Sequence, residues 1–136
     1  MTITAWRITK RKYAHQAFSG EGAKRFGGRW NPRGYAMVYT AETLSLAILE
    51  LIVHLETYDD IEAYVSIPVQ FEPMQVMEVP VQDLPSNWHS LPLSIESQNL
   101  GKRWLDKMES LVLKVPSSVV RPERNYLINP LHPEFE

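Results

Sequence analysis

Residues 43–57, Thr43-Leu-Ser-Leu-Ala-Ile-Leu-Glu50-Leu-Ile-Val-His54-Leu-Glu-Thr57, decide how the rest of the chain is read. Leu44, Ile48, Leu51, Ile52 and Leu55 recur at the 3.6-residue period of an α-helix, and Thr40 or the pair Glu42-Thr43 can start it. Leu46, Leu49 and Val53 fill the other side, so the pattern predicts a helix buried nearly all round. Between Leu44 and Leu55 the only charged residue is Glu50. An ionised carboxylate among apolar neighbours is costly unless partners compensate it. Glu50 therefore either lies on an exposed stripe, meets a structural arginine, or does chemistry. His54, one turn later on the same side, reads equally well as a hydrogen-bonded boundary residue.

On the N-terminal side of this helix, residues 19–35 (SGEGAKRFGGRWNPRGY) hold five of the six glycines and read as a loop that needs positive φ or close backbone approach. Ala36–Thr40 follows as a short buried strand, and Ile3–Ile8 reads as a first strand leading into a helical or irregular segment through Phe18. On the C-terminal side, Ala63–Val69 and Met74–Val79 are strand candidates separated by Glu72-Pro73. Pro80 to Pro92 is an irregular connection. Ser94–Met108 is a second helix marked by Ile95, Leu100, Trp104 and Met108, and Leu111–Val115 is a strand ended by Pro116. A proline-bearing tail wraps the surface, with a short strand at Tyr126–Ile128. No repeat or flexible linker divides the sequence, so a single α+β domain spanning residues 1–136 is expected. Its short strands surround a cleft between the glycine-rich loop and the Glu50 helix.

A chain of 136 residues can bury one core without metals or disulfides, and the absence of cysteine removes thiolate ligands and disulfide frameworks. The first twelve residues lack the apolar run of a signal peptide, and no stretch approaches the length of a membrane span. A cytoplasmic location and no membrane contact are the expectation. A net charge of −2 argues against direct nucleic-acid binding, and Lys10-Arg11-Lys12 reads as a solvated stretch. Four histidines, at 15, 54, 89 and 132, are too dispersed for a metal site, so no metal is expected.

Several side chains can carry chemistry, each with a plain structural alternative. Gly27-Gly28-Arg29-Trp30-Asn31 sets a guanidinium beside flexible glycines, which suits phosphate recognition through a planar fork of donors. The spacing matches neither a P-loop nor a dinucleotide fingerprint, so a glycine-rich turn pinned by arginine reads as well. Tyr39 faces either core or cleft. Ser117-Ser118 follows a strand and a proline, where hydroxyls commonly cap a turn, and neither sits in a nucleophile elbow. Asn125 and Asn129 flank a hydrophobic tripeptide as turn residues would.

Taken together, these blocks form a pattern. Ser19-Gly-Glu-Gly-Ala23, Gly27-Gly28-Arg29-Trp30-Asn31, Val38-Tyr39-Thr40-Ala41, Leu46-Ala47-Ile48-Leu49-Glu50, Val115-Pro116-Ser117 and Asn125-Tyr-Leu-Ile-Asn-Pro130 occur in the order that resembles RES-domain proteins. The arginine, glutamate and serine for which that family is known fall on Arg29, Glu50 and Ser117, with Ser118 a rival for the serine. The resemblance covers almost the whole chain. It implies a bacterial toxin with a fold similar to ADP-ribosyltransferase catalytic domains, which takes NAD as substrate rather than as a resident cofactor. Cleavage of the nicotinamide–ribose bond by hydrolysis or phosphorolysis is implied first, and transfer of ADP-ribose to a protein second. It also implies an Xre-like helix-turn-helix antitoxin as partner, with DNA reached only through that partner. In this reading Arg29 holds the pyrophosphate or a ribose-facing oxygen, Ser117 orients Glu50 or the ribose, and Tyr39 stacks on nicotinamide. Arg7 adds a second phosphate contact, and Asn125 joins the substrate-binding residues. A non-catalytic nucleotide- or partner-binding module is the alternative outside enzymology, and an RNA-cleaving toxin fits the acidic balance poorly.

Overall fold

The computed structural model describes residues 1–53 and 62–135. Strand β1 (Ile3–Lys10) shows why this chain builds a sheet: Ile3 and Ala5 enter one apolar cluster while Trp6 and Ile8 enter another, the two-residue period of a strand covered on both faces. The chain then forms a 3-10 turn at Arg11–Gln16 and a six-residue helix α1 (Glu21–Phe26). Strand β2 (Val38–Ala41), helix α2 (Leu44–Ile52), and strands β3 (Tyr64–Phe71) and β4 (Val76–Glu78) come next. Helix α3 (Ile95–Lys107) and strands β5 (Val112–Pro116) and β6 (Arg124–Ile128) complete the order. The six strands form one mixed sheet in the order β3-β1-β2-β6-β5-β4, antiparallel throughout except for the β4–β5 pair. This is a small α+β domain, as the sequence pattern predicts.

Helix α2 departs from the expectation of burial all round. Thr43 caps its start by accepting from the Leu46 amide at 3.0 Å. Only Leu46 and Ala47 are buried, packed with Ala41 against Trp6, Ile8 and Val120. Ile48, Leu49 and Val53 are exposed on the outer side, because α2 lies on the sheet by one face and no described element covers the other. The predicted helical residues 54–57, His54 among them, lie outside the described residues.

Three other elements differ from the sequence pattern. The glycine-rich segment is not all loop: Gly20 (φ +73°) and Gly27 (φ +76°) take left-handed or extended positive-φ conformations that start and stop α1 between them. Residues Pro73–Gln75 form a 3-10 turn rather than strand, because Pro73 starts it and the Gln75 side chain accepts from the Glu72 amide at 2.8 Å. At the two ends of α3, Ile95 and the C-cap Met108 are exposed, whereas Ser97, Gly101, Trp104 and Leu105 within it are buried. The largest cluster gathers Trp30, Met37, Leu84, Trp88, Trp104, Leu105, Leu113, Val115 and Leu127, with the Trp30 and Trp88 rings stacked at 6.0 Å. The glycine-rich loop is thus anchored in the core by its own tryptophan.

Candidate active site

A cleft of about 570 Å³ opens between the loop after α1, strands β1 and β2, and helix α2. That volume falls within the roughly 300–1,000 Å³ of ordinary small-molecule sites. Arg7, Arg29, Tyr39, Glu50 and Asn125 all line it, together with Gly27, Gly28, Trp6 and Ser118, and Leu91 and Leu93 stand on one wall. Five of the six candidate site residues therefore meet in one place although they span more than a hundred positions of sequence.

The sixth, Ser117, lies directly behind Glu50. Its hydroxyl donates to Glu50 Oε2 at 2.8 Å and accepts from the amides of Val119 and Val120, both at 3.1 Å. One donor and two lone pairs are all that a serine hydroxyl has, so its capacity is filled. Ser117 is fully buried. On the other carboxylate oxygen, Asn125 Nδ2 donates to Glu50 Oε1 at 3.1 Å and to the Thr40 carbonyl at 3.2 Å. Asn125 is no turn residue: it sits in β6 opposite Ala41 of β2 and Val115 of β5, a central position fixed by pairing on both sides. Glu50 is thereby held at both oxygens, by Asn125 within β6 and by Ser117 just beyond the end of β5, and these bonds help offset the cost of a carboxylate on an apolar helix. The carboxylate approaches the cleft in a fixed orientation.

The cationic side of the cleft is built differently. Arg29 Nη1 donates to the carbonyls of Trp88 at 2.7 Å and Ser90 at 3.2 Å, which ties the guanidinium to the loop before α3. Arg7 donates from Nε to the Ala17 carbonyl at 3.1 Å. Burial lowers the pKa of both arginines from the usual value, yet guanidinium stays charged at neutral pH. Among the described residues neither is ion-paired with a carboxylate. Two cations and one oriented carboxylate therefore share the cleft, an arrangement suited to a ligand with negative charge at one end and developing positive charge at the other.

Tyr39 is oriented by a network that the sequence did not signal. Its hydroxyl donates to Asn31 Oδ1 at 2.5 Å and accepts from the Trp30 amide at 3.1 Å. Asn31, fully buried, uses its amide to hold the carbonyls of Ala23, Pro32 and Tyr35. Burial raises the Tyr39 pKa well above the usual phenol value, so it stays a donor. Gly28 is required here, since a Cβ would come within 2.6 Å of the Tyr39 hydroxyl. The second candidate asparagine, Asn129, is structural: it holds the Leu105 carbonyl and accepts from the Leu131 amide, away from the cleft. Among the described residues no group of three His, Asp or Glu could hold a metal ion, and no helix is long and apolar enough to cross a membrane.

One small mixed sheet thus carries a glycine-rich arginine loop and a braced helical glutamate at one cleft. Comparison identifies the family: the RES domain profile matches residues 4–136, and the chain belongs to the RES-domain family. It is 37% identical over 131 residues to "Toxin Res" of Yersinia enterocolitica (serotype O:8, biotype 1B), covering 96% of this chain and 86% of that protein. It is 40% identical over 139 aligned positions to the "Prs ADP-ribosylating toxin" of a Sphingobium species (strain YBL2), covering 98% and 86% respectively. The fold is also that of a chain in the M. tuberculosis MbcT–MbcA toxin–antitoxin complex, with a TM-score of 0.75 at 21% identity over 94% of this chain and 74% of the other.

Proposed function

We propose that this toxin depletes cellular NAD by cleaving the bond between nicotinamide and ribose, with water or phosphate as acceptor. The observation that carries the reading is Glu50, clamped through both carboxylate oxygens by Ser117 and Asn125 at the wall of a cleft that also holds two arginines. When the C1′–N bond of NAD breaks, its electron pair leaves with nicotinamide as a neutral base and positive charge grows on the ribose. A carboxylate fixed beside that sugar stabilises the charge without reorganising, as in glycoside hydrolysis. A water oxygen that then bonds C1′ releases a proton to solvent, whereas phosphate bonds C1′ through an oxygen that is already anionic.

In this reading Arg29 and Arg7 bind the pyrophosphate, Tyr39 presents its ring to nicotinamide, and Ser117 acts through Glu50 rather than on the substrate. NAD is the substrate, and no resident cofactor or metal is invoked. Transfer of ADP-ribose to a protein uses the same bond cleavage, and the name of the Sphingobium relative favours it as a second reading. The partner proposed is an Xre-like helix-turn-helix antitoxin, which brings the toxin to operator DNA, in the cytoplasm. The test is the NAD pool of cells after induced expression, which should collapse with wild-type protein and persist with Glu50→Gln at equal protein level. A pool that stays full while wild-type protein arrests growth contradicts the reading. Pure protein with NAD and no other protein separates the two acceptors: rapid nicotinamide release supports degradation.

A further inference from the structure

Three consecutive carbonyls of the arginine loop are received by one face of α3. Gln98 Nε2 donates to the Gly28 carbonyl at 2.9 Å, and Ser97 Oγ donates to the Arg29 carbonyl at 2.8 Å. The Trp30 carbonyl lies so close to Gly101 that a Cβ there would fall 1.6 Å from it. This is why polar Ser97 and bare Gly101 occupy the buried face of α3 while Ile95 and Met108 stay outside. The Arg29 side chain then returns to the loop leading into α3 through the carbonyls of Trp88 and Ser90. Backbone and side chain of one residue are thus gripped by adjoining parts of a segment some sixty to seventy positions away.

We infer that Ser97, Gln98 and Gly101 are positioning residues for Arg29, setting the place of its guanidinium in the cleft without touching the ligand. The inference rests on the proposed role of Arg29 in binding the anionic part of NAD. None of the three lines the cleft, so any effect they have on the ligand passes through the loop. Loosening the loop lowers the fraction of molecules with Arg29 in place, and the apparent dissociation constant rises by the reciprocal of that fraction.

Gln98 is the residue to change, because it is only half-buried and Gln98→Leu removes the donor while leaving a side chain of similar bulk. NAD binding is titrated in a Glu50→Gln background, where turnover does not consume the ligand. Gln98→Leu is expected to weaken binding up to about fivefold, the equivalent of one neutral hydrogen bond. Combined with Arg29→Ala it should add less than about 1.5-fold, since nothing is left to position. Equal penalties in both backgrounds, or no penalty with Arg29 present, overturn the inference.

A second measurement is independent of NAD. The amides of Gly28, bonded to the Asn31 carbonyl at 2.9 Å, and of Trp30, bonded to the Tyr39 hydroxyl at 3.1 Å, report on the loop by hydrogen exchange. Gln98→Leu should accelerate exchange at these two amides severalfold while leaving β5 and β6 unchanged. Unchanged exchange overturns the inference even if NAD proves not to bind. Wild-type protein that fails to bind NAD counts against the proposed function alone, and accelerated exchange then still supports positioning.

Discussion

Removing the Ser117 hydroxyl should separate support of the reacting group from contact with the substrate. In Ser117→Ala the 2.8 Å bond to Glu50 Oε2 disappears and the carboxylate keeps Asn125 on its other oxygen. A hydrogen bond to a charged acceptor contributes about 1.5–3 kcal/mol. If about 2 kcal/mol of that acts in the transition state, kcat falls roughly 30-fold. KM should barely move, because Ser117 does not line the cleft. The Val119 and Val120 amides also lose their acceptor. A loss of stability of about 2 kcal/mol follows, or roughly 7 °C in Tm for a domain of this size. Nicotinamide release measured well below that lowered Tm reports the first effect, and thermal unfolding reports the second. Ser118→Ala is the control: Ser118 lines the cleft without bracing Glu50 and its loss should cost less than about threefold. The reasoning fails if Ser117→Ala leaves kcat within twofold of wild type, or if Ser118→Ala proves the more damaging change.

Other expectations follow from the same geometry. Gly101→Ala forces a Cβ against the Trp30 carbonyl at 1.6 Å and should destabilise by about 3 kcal/mol or more, seen as poor soluble yield or a sharply lowered Tm. Arg7→Ala should raise KM for NAD about tenfold with a smaller change in kcat, and should flatten the weakening of binding by added salt, checked by initial rates at two ionic strengths. For Tyr39 the folded-state pKa lies above the unfolded value of about 10, so its contribution to stability is complete below pH 10 and is lost as pH rises through the folded pKa. Chemical denaturation should therefore give constant stability from pH 7 to 9.5 and a decline above 10. Tyr39→Phe should remove most of that decline, while Tyr126, whose pKa is raised chiefly by burial, retains the rest.

The parts of this site legible in the sequence are those where residue type conflicts with its surroundings. Glu50 stood out because a carboxylate inside an apolar helix demands partners, and the structure supplies Ser117 and Asn125. Strand positions were legible for the same kind of reason, since β5 and β6 carry runs of apolar residues that only a covered sheet accommodates. The α3 face was misread because periodicity counts side chains, whereas Ser97 and Gly101 are buried to receive backbone carbonyls from a distant loop. Helix α1 was hidden by the glycines that bound it. Asn31 lies in a stretch that reads as a glycine-rich turn, and its role as the hub that fixes Tyr39 depends on carbonyls brought together only by the fold. For α2, a wholly apolar pattern did not mean burial on every side, because the sheet covers one face only.

The central claim is that a braced Glu50 at this cleft breaks the nicotinamide–ribose bond of NAD. It is tested most directly by incubating the purified protein with NAD and quantifying free nicotinamide, with Glu50→Gln purified in parallel and shown to have the same thermal transition. The account predicts steady release by wild-type protein and a loss of at least about a thousandfold in the variant, roughly 4 kcal/mol of transition-state stabilisation. Intact NAD after long incubation with wild-type protein, with acceptor supplied, or equal release by folded Glu50→Gln, would contradict it.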